Sequence, residues 1–263
     1  MLVKDSVVVI TGAASGIGEA AAIGLSALGA KIVLCDLNDE KLKFICERIE
    51  AGNGQACYKA ANVTSETEVQ AVMDFAIAQF GCINVVLACA GIIKDAFFVH
   101  PDKETGMVKK FMTTEQFQSV INVNLTGVFI TLREAAIRMI NNKWTGVLIP
   151  VSSINKAGEL GQLNYASSKA AIALWPKILA GEFHARQVKN IRIAAIAPGY
   201  VATPMLTSIK TEILDGIISG IPIGRLVDTE EITTTIRFII ENEAIHGTTI
   251  EVSGGIIAKG LAK

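Results

Sequence analysis

Tyr165 and Lys169 stand four residues apart, a spacing that places both side chains on one face of a helix, one turn apart. An ordinary tyrosine hydroxyl has a pKa of about 10, and a nearby ammonium group favours its ionised form. The pair can therefore act as an acid/base near neutral pH. Ser152 and Ser153 precede Tyr165 by 13 and 12 residues, and a serine hydroxyl can donate a hydrogen bond to a carbonyl or alkoxide oxygen. These residues predict proton exchange with the oxygen of an alcohol or a ketone.

Three glycines cluster near the N-terminus, in the sequence Thr11-Gly12-Ala13-Ala14-Ser15-Gly16-Ile17-Gly18. The cluster directly follows an apolar run at 7–10, so it should join a strand to a helix whose first N–H groups suit an anionic pyrophosphate. Asp36 ends the next apolar run, 18 residues past Gly18, and its carboxylate can accept hydrogen bonds from a ribose diol. The cluster and Asp36 predict a bound dinucleotide, and with Tyr165 they predict hydride transfer to or from a nicotinamide.

Asp36 also predicts which nicotinamide dinucleotide binds. A carboxylate accepts from a free 2′-hydroxyl but repels a 2′-phosphate. Chains of this kind that use NADP often place a basic residue in the glycine turn or just after the second strand, where this chain has Ser15 and Leu37. We therefore expect NAD as the cofactor.

The elements that must position these residues alternate along the chain. Strands are predicted near 6–10, 31–35, 55–60, 83–88, 145–151, 190–197 and 248–252, and helices near 16–28, 39–50, 65–80, 114–140, 162–184 and 228–241. This alternation predicts an α/β, doubly wound, Rossmann-like parallel sheet of about seven strands, with ligands at the carboxyl ends of the strands. We expect one domain over 1–263, in which 1–95 mainly binds dinucleotide and 96–263 mainly supplies catalytic and substrate loops.

Composition narrows the classes of function. The chain has 263 residues, 51% of them hydrophobic and 19% charged, and a formal net charge of −1, a balance that favours neither nucleic acid nor a membrane surface as partner. Five cysteines without a C-x-x-C pair and three scattered histidines do not support a metal site. The first strand begins almost at the N-terminus, so we expect no signal peptide and a cytoplasmic protein.

From end to end, these motifs make the chain similar to the short-chain dehydrogenases/reductases. The glycine cluster matches that family's T-G-x-x-x-G-x-G, and Tyr165-Ala166-Ser167-Ser168-Lys169 matches its Y-x-x-x-K. A helix motif of the family matches Asn122-Val123-Asn124, and its P-G loop matches Ala197-Pro198-Gly199-Tyr200-Val201-Ala202-Thr203.

The resemblance implies a role for each matching catalytic residue. Tyr165 would be the acid/base, and Lys169 would lower its pKa and bind the nicotinamide ribose. Ser152 or Ser153 would orient the substrate, and Asn124 would hold a water in a proton relay. The family spacing of 13 selects Ser152, whereas alignment of the Ser-Ser-Ile text selects Ser153, so the choice between the two serines stays open.

The resemblance also implies a set of cofactor contacts. Thr203 and the backbone of Val201 would contact the carboxamide. Two departures from the family pattern affect the adenosine side: Ala88-Cys89-Ala90-Gly91 replaces N-N-A-G, and Asn62-Val63 replaces D-V, although an amide oxygen can still accept from an adenine amino group. The complete expected set is Gly12, Ser15, Gly16, Ile17, Gly18, Asp36, Leu37, Asn62, Val63, Ala90, Gly91, Tyr165, Lys169, Pro198, Gly199, Val201 and Thr203.

Short segments at 161–165, 221–225 and 252–255 look most like 3-oxoacyl-acyl carrier protein reductases and related 3-hydroxyacyl dehydrogenases. This implies an acyl-thioester or other small-molecule substrate, with acyl carrier protein as a candidate partner. A polyol, sugar or steroid dehydrogenase is the alternative within the family, and an inactive nucleotide-binding scaffold is the alternative outside enzymes. The helix at 162–184 is apolar nearly all round, which predicts a subunit interface in a homotetramer or homodimer.

The connection at 96–111 looks longer than the family's usual one. Turn signals at Pro101-Asp102 and Thr105-Gly106 lie between apolar residues that could pair as a small hairpin. One alternative is a surface decoration. The other is that the hairpin, with the loop at 200–221, walls the substrate pocket with apolar side chains and favours an acyl chain over a polyol.

Overall fold

The computed structural model describes residues 1–256, except for the side chain of Met205. Seven strands form one parallel sheet in the order β3-β2-β1-β4-β7-β8-β9, which confirms the predicted doubly wound α/β fold. The strands are β1 (Val7–Thr11), β2 (Lys31–Asp36), β3 (Gln55–Ala60), β4 (Val85–Ala88), β5 (Val99–Pro101), β6 (Val108–Phe111), β7 (Gly146–Pro150), β8 (Ile191–Pro198) and β9 (Thr248–Val252). The central strands β1, β4 and β7 are buried along their whole length, because helices cover both faces of the sheet.

Nine helices surround the sheet within the described residues. They are α1 (Gly16–Ala27), α2 (Asp39–Ala51), α3 (Glu66–Phe80), α4 (Thr114–Ile121), α5 (Val128–Asn141), α6 (Leu163–Ala185), α7 (Pro204–Thr207), α8 (Thr211–Ile218) and α9 (Thr229–Glu241). One hydrophobic cluster joins α1, α2 and α9 to one face of the sheet, and a second joins α3, α5 and α6 to the other face.

The strand order reverses between β1 and β4. After β1 the chain crosses to β2 on one side, and after β3 it returns to β4 on the other side. Loops that follow β1 and β4 therefore separate at this point and leave a crevice at the carboxyl edge of the sheet. The glycine cluster follows β1, and the segment 89–96 follows β4, so both line this crevice.

The single helix predicted over 114–140 is interrupted. A π-helical turn, Asn122–Gly127, separates α4 from α5. The whole stretch Thr114–Asn141 is long and apolar enough to cross a membrane by length and composition, but half of its most apolar window is buried inside the fold. Its packing against the sheet is that of a core helix, so we assign it no membrane role.

The predicted hairpin is present. β5 and β6 pair antiparallel, with Val99 opposite Phe111. The base of the hairpin is fixed by a hydrogen bond from Met112 N to Phe97 O (2.9 Å) and by one from Ala96 N to Gly161 O (2.9 Å). The second bond connects the hairpin to the loop that immediately precedes α6, the helix that carries Tyr165.

Candidate active site

The glycine turn has no room for side chains. Gly12 and Gly16 adopt positive φ angles of 69° and 57°. A Cβ on Gly12 would lie 2.7 Å from the Cα of Ala90, and a Cβ on Gly18 would collide with the carbonyl oxygen of Gly12. Ser15 occupies the N-cap position of α1 in an extended conformation, without a side-chain capping bond. The first turn of α1 therefore meets the crevice as bare backbone, which suits a pyrophosphate.

Asp36 is the last residue of β2, and backbone N–H groups fix its carboxylate beside the glycine turn. Oδ1 accepts from the amides of Leu37 (2.7 Å) and Asn38 (3.2 Å), and Oδ2 accepts from the amide of Ala14 (3.2 Å). Within residues 1–256 this carboxylate forms no ion pair. The adjoining Leu37 is 72% exposed. Neither Leu37 nor Ser15 carries a positive charge that could offset the charge of Asp36.

Asn62 and Val63 lie after β3, on the expected adenosine side, but their side chains have local partners. The Asn62 amide oxygen accepts from both the backbone N (3.0 Å) and the hydroxyl (2.9 Å) of Thr64. An amide oxygen has two lone pairs, so the predicted adenine contact through this oxygen is unfavourable. Val63 is buried, and a Cβ on Gly127 would lie 2.8 Å from its Cγ2. Val63 therefore packs against the π-helical turn.

The segment after β4 lies between the cofactor crevice and the catalytic residues. Ala90 N donates to the Thr11 hydroxyl (3.4 Å). A Cβ on Gly91 would lie 3.4 Å from Oδ1 of Asn124 and 3.7 Å from Nζ of Lys169. Burial raises the pKa of the Cys89 thiol to about 11, although Lys169 opposes the shift. Cys89 is therefore a neutral thiol, and it is no candidate for a nucleophile.

Asn124 is fully buried in the π-helical turn, and its amide is held at both ends. Its Oδ1 accepts from Ile92 N (2.8 Å), and its Nδ2 donates to Ile92 O (2.9 Å). These bonds fix the turn against the segment that follows β4. The predicted water relay would have to use atoms of Asn124 that these two hydrogen bonds leave open. The relay stays a prediction.

Lys169 is buried beneath Tyr165. Its Nζ donates to the carbonyl of Val151 (2.8 Å) and lies 5.5 Å from the centre of the Tyr165 ring. Burial lowers the pKa of Lys169 to about 8, because the low-polarity surroundings disfavour the ammonium form. The predicted Tyr165–Lys169 pair is therefore brought together on one helix.

The two serines have different partners. Ser152 is buried, and its hydroxyl donates to the carbonyl of Lys169 (2.7 Å). The Ser153 hydroxyl accepts from Asn155 N (3.1 Å) and is hydrogen-bonded to Tyr165. Ser152 thus supports the α6 backbone, whereas Ser153 faces the candidate acid/base.

Burial of the Tyr165 hydroxyl raises its pKa, and the hydrogen bond from Ser153 opposes this rise. The negative charges that Cys89 and Asp95 can carry add to the rise. The pKa of Tyr165 is therefore raised overall, and the predicted lowering of this pKa by Lys169 is not seen.

Comparison with known proteins identifies the family. The sequence profile described as "short chain dehydrogenase" matches residues 6–213. The chain belongs to the short-chain dehydrogenase family. It is 33% identical over 264 residues to a 3-oxoacyl-[acyl-carrier-protein] reductase of Thermotoga maritima, covering 98% of this chain and 100% of that protein. It is 36% identical over 262 residues to the mouse (Mus musculus) 3-hydroxyacyl-CoA dehydrogenase type-2, covering 97% of this chain and 96% of that protein. The crystal structure of a levodione reductase superposes with a TM-score of 0.83 at 28% identity, covering 96% of this chain and 97% of that chain.

In this short-chain dehydrogenase the loop after β8 lies against the glycine turn. Gly199 N donates to Val252 O (2.9 Å), and a Cβ on Gly199 would lie 2.8 Å from the Cα of Ser253. Val201 is buried and bridges Val227. A Cβ on Gly16 would lie 3.2 Å from the Cγ2 of Thr203, the N-cap residue of α7. The loop of Pro198, Gly199, Val201 and Thr203 therefore lies beside the glycine turn, and its contacts with a cofactor stay a prediction.

Sequence reasoning missed three polar residues beside this centre. Gln162, at the N-cap of α6, accepts from Asn155 Nδ2 (2.9 Å) and donates to Asp95 Oδ2 (2.9 Å). The only signal in the sequence was position, because each residue lies in a loop that follows a strand or precedes α6. Within the described part of the chain, no cluster of three His, Cys, Asp or Glu side chains is arranged to hold a metal ion.

Proposed function

We propose that this chain is an NAD(H)-dependent oxidoreductase that interconverts a secondary alcohol and a ketone on 3-oxoacyl and 3-hydroxyacyl thioesters. The observation that carries the proposal is the convergence of Ser153, Tyr165 and Lys169 at the carboxyl edge of the sheet, next to the glycine turn. A nucleotide-binding scaffold would need the glycine turn, but neither the buried Lys169 nor the Tyr165 hydroxyl beside Ser153.

The crevice fits a nicotinamide dinucleotide. The bare backbone at Gly12, Gly16 and Gly18 leaves space that a side chain would fill, and the fixed Asp36 carboxylate suits a ribose diol. When bound, such a cofactor supplies the carbon that accepts or gives a hydride. Asp36 favours NAD because its charge has no cationic partner in the described structure and would repel a 2′-phosphate.

The chain's own residues would handle the oxygen of the substrate. Ser153 would donate a hydrogen bond to this oxygen, and Tyr165 would give it a proton in reduction or take one in oxidation. Lys169, as an ammonium, would stabilise the Tyr165 phenolate and bind a ribose hydroxyl of the cofactor. Asn124 would hold a water that connects Lys169 to solvent. Ser152 would keep the Lys169 backbone in place.

The hairpin supports an acyl substrate. A cleft of about 410 Å³ lies between the hairpin and α4. It is lined by Ala96, Phe97, His100, Lys110, Phe111 and Gln116. Gln116 O accepts from Asn164 Nδ2 (3.4 Å), and Asn164 directly precedes Tyr165, so the cleft lies close to the reacting groups. Two relatives are named for 3-oxoacyl and 3-hydroxyacyl substrates, which agrees with the two phenylalanines in this lining. Polyols and sugars are the alternative substrates, and acyl carrier protein is one candidate carrier of the thioester.

Absorbance of reduced cofactor tests the proposal. The purified protein, incubated with NAD or NADP and a panel of 3-hydroxyacyl thioesters, polyols and steroids, should reduce NAD with the thioesters and prefer NAD over NADP. Tyr165→Phe should lower turnover by about 10² to 10⁴, because general acid/base catalysis is lost, and should leave NAD binding nearly unchanged. Half-normal turnover in Tyr165→Phe, or a preference for NADP, would contradict the assignment.

We also propose a cytoplasmic location, and a homotetramer or homodimer as the working assembly.

A further inference from the structure

A chain of three hydrogen bonds, one from the backbone amide of Asn155 and two between side chains, leads from Ser153 to an exposed carboxylate. The backbone amide of Asn155 donates to the Ser153 hydroxyl (3.1 Å), so the proton of that hydroxyl is free to point elsewhere. The side-chain amide of Asn155 donates to Gln162 Oε1 (2.9 Å). Gln162 Nε2 in turn donates to Asp95 Oδ2 (2.9 Å). The orientation of each amide is thus set by the next group, and the Asp95 carboxylate ends the chain.

Asp95 lies in the segment that joins β4 to the hairpin, and this segment is bound to the start of α6. Ala96 N donates to Gly161 O (2.9 Å) on one side of Asp95, and Lys94 O accepts from Asn164 Nδ2 (3.0 Å) on the other. The backbone around Asp95 is therefore fixed against the start of α6, and its exposed carboxylate accepts from Gln162. A movement of the hairpin would be transmitted to Gln162 through these bonds.

We propose that Asp95 is a positioning residue of the active site. It acts through Gln162 and Asn155 to hold the turn that carries Ser153 against Tyr165, and it couples this geometry to the placement of the substrate hairpin. The inference rests on the proposed oxidoreductase function and adds a specificity element to it. None of the motifs quoted above includes this carboxylate, and its partner Gln162 is distant in sequence.

The charge of Asp95 is a second, separable contribution. The titratable groups that face Tyr165 are Lys169 from α6, Cys89 from the end of β4, and Asp95 from the loop. Negative charge on Asp95 or Cys89 raises the pKa of the Tyr165 hydroxyl. Because burial raises the pKa of the Cys89 thiol to about 11 and keeps it neutral, Asp95 is the one of these two groups whose charge the substitutions below address.

Two substitutions separate geometry from charge. Asp95→Asn retains an oxygen that can accept from Gln162, but it removes the charge. Asp95→Ala removes both. We expect Asp95→Ala to lower kcat/KM on the order of ten-fold, as the loss of a hydrogen bond to a charged group allows. Asp95→Asn should keep kcat/KM within about three-fold of wild type, because its amide oxygen can replace the lost acceptor.

The pH dependence gives a readout that a merely structural role would not move. In Asp95→Asn the pH at which alcohol oxidation reaches half its maximum should shift downward, since a negative charge near Tyr165 is gone. Absorbance titration of tyrosinate, taken as the difference from a Tyr165→Phe background, should shift in the same direction without any substrate. The matched control is Glu104→Gln, which removes an exposed carboxylate from the turn of the hairpin. Neither the pH profile nor the tyrosinate titration should shift in this variant.

A double-mutant cycle tests the link to Gln162. If Asp95 acts through Gln162, Asp95→Ala combined with Gln162→Ala should be no more impaired than Gln162→Ala alone. Additive losses, or Asp95 variants indistinguishable from Glu104→Gln in both rate and titration, would overturn the proposal. The tyrosinate titration keeps this failure distinct from failure of the proposed function, which would appear as a wild-type protein without oxidoreductase activity.

Discussion

Lys169 is a charged side chain in a buried position, and its ionisation is coupled to the stability of the protein. Burial lowers its pKa from 10.5 to about 8. Below pH 8 the folded chain therefore carries a buried ammonium. Between pH 8 and 10.5 the folded state has lost a proton that the unfolded chain still holds, so this group makes the protein more stable as pH rises.

Lys169→Met should reveal this cost in the protein without cofactor. The variant should gain stability relative to wild type at pH 7 and lose that relative gain as pH rises to 10.5, with a pH-dependent difference of about 3 kcal/mol. Denaturant unfolding of both proteins at several pH values measures the difference. A gap that stays constant from pH 7 to 10.5 would contradict the burial of a charged Lys169.

Ser152 and Ser153 are adjacent, yet their hydroxyls have separate tasks in the structure. Ser153→Ala should lower kcat by about 10² to 10³, the usual effect of removing one donor to a reacting oxygen. Ser152→Ala should lower stability by about 1 kcal/mol, since the Lys169 carbonyl loses its donor, with only a small effect on kcat. Steady-state kinetics and thermal unfolding of both variants make the comparison. A crippled Ser152→Ala enzyme beside an active Ser153→Ala enzyme would reverse the assignment.

At the scale of elements, the sequence predicted most of the sheet and helices because local patterns decide them. Apolar runs such as 7–10 and 31–35 are buried from both faces, and their alternation with helices leaves few alternative topologies. The π-helical turn at Asn122–Gly127 was not predicted. It depends on packing between distant segments, namely Val63 against Gly127 and Ile92 against Asn124.

The candidate site shows the same division between local and distant information. The glycine turn and the Tyr165–Lys169 pair were predictable, because both depend on spacing within one strand-turn-helix or one helix. The choice of serine was not, since it depends on how the 3-10 turn Ile154–Ala157 orients the chain between β7 and α6. Asp95 and Gln162 were missed because their partners are distant in sequence.

The hairpin allows a prediction about substrate length. Phe97 and Phe111 line the cleft and are 53% and 57% exposed, so an acyl chain could bury them. Each added methylene should raise kcat/KM until the cleft is filled, by a factor that corresponds to a binding free energy of up to about 0.8 kcal/mol. Replacing both phenylalanines by serine should flatten this dependence. Phe44→Ser, at a similarly exposed position on α2, is the control. Rates on 3-oxoacyl thioesters that ignore chain length would favour a polyol or sugar substrate.

At the scale of the whole molecule, the doubly wound topology gathers the site from distant parts of the sequence. Loops after β1, β2, β4, β7 and β8 all open at one edge of the sheet, so the cofactor crevice and the catalytic residues become neighbours. Helix α6 joins this edge to the outer surface. Its inner side carries Lys169, while its outer side is largely apolar.

That outer side predicts how copies of the chain assemble. The exposed stripe of α6 runs through Leu163, Ser167, Ala170, Leu174, Lys177, Ile178 and Gly181 and continues through Glu182, His184 and Ala185. Its charged residues, Lys177 and Glu182, lie in the second half of the helix. Leu174 and Ile178 are 56% and 45% exposed, which is unusual for two large apolar side chains one turn apart. We expect this stripe to pack against a second subunit.

Leu174→Glu combined with Ile178→Glu should therefore lower the mass in solution relative to wild type, because two carboxylates would have to be buried without partners in the interface. Light scattering after gel filtration measures the mass. Phe44→Glu changes an equally exposed apolar residue on α2 and should leave the mass unchanged. Because the stripe belongs to the helix that positions Tyr165 and Lys169, we also expect the dissociated variant to lose activity. A double variant that keeps the wild-type mass would place the subunit interface on another face.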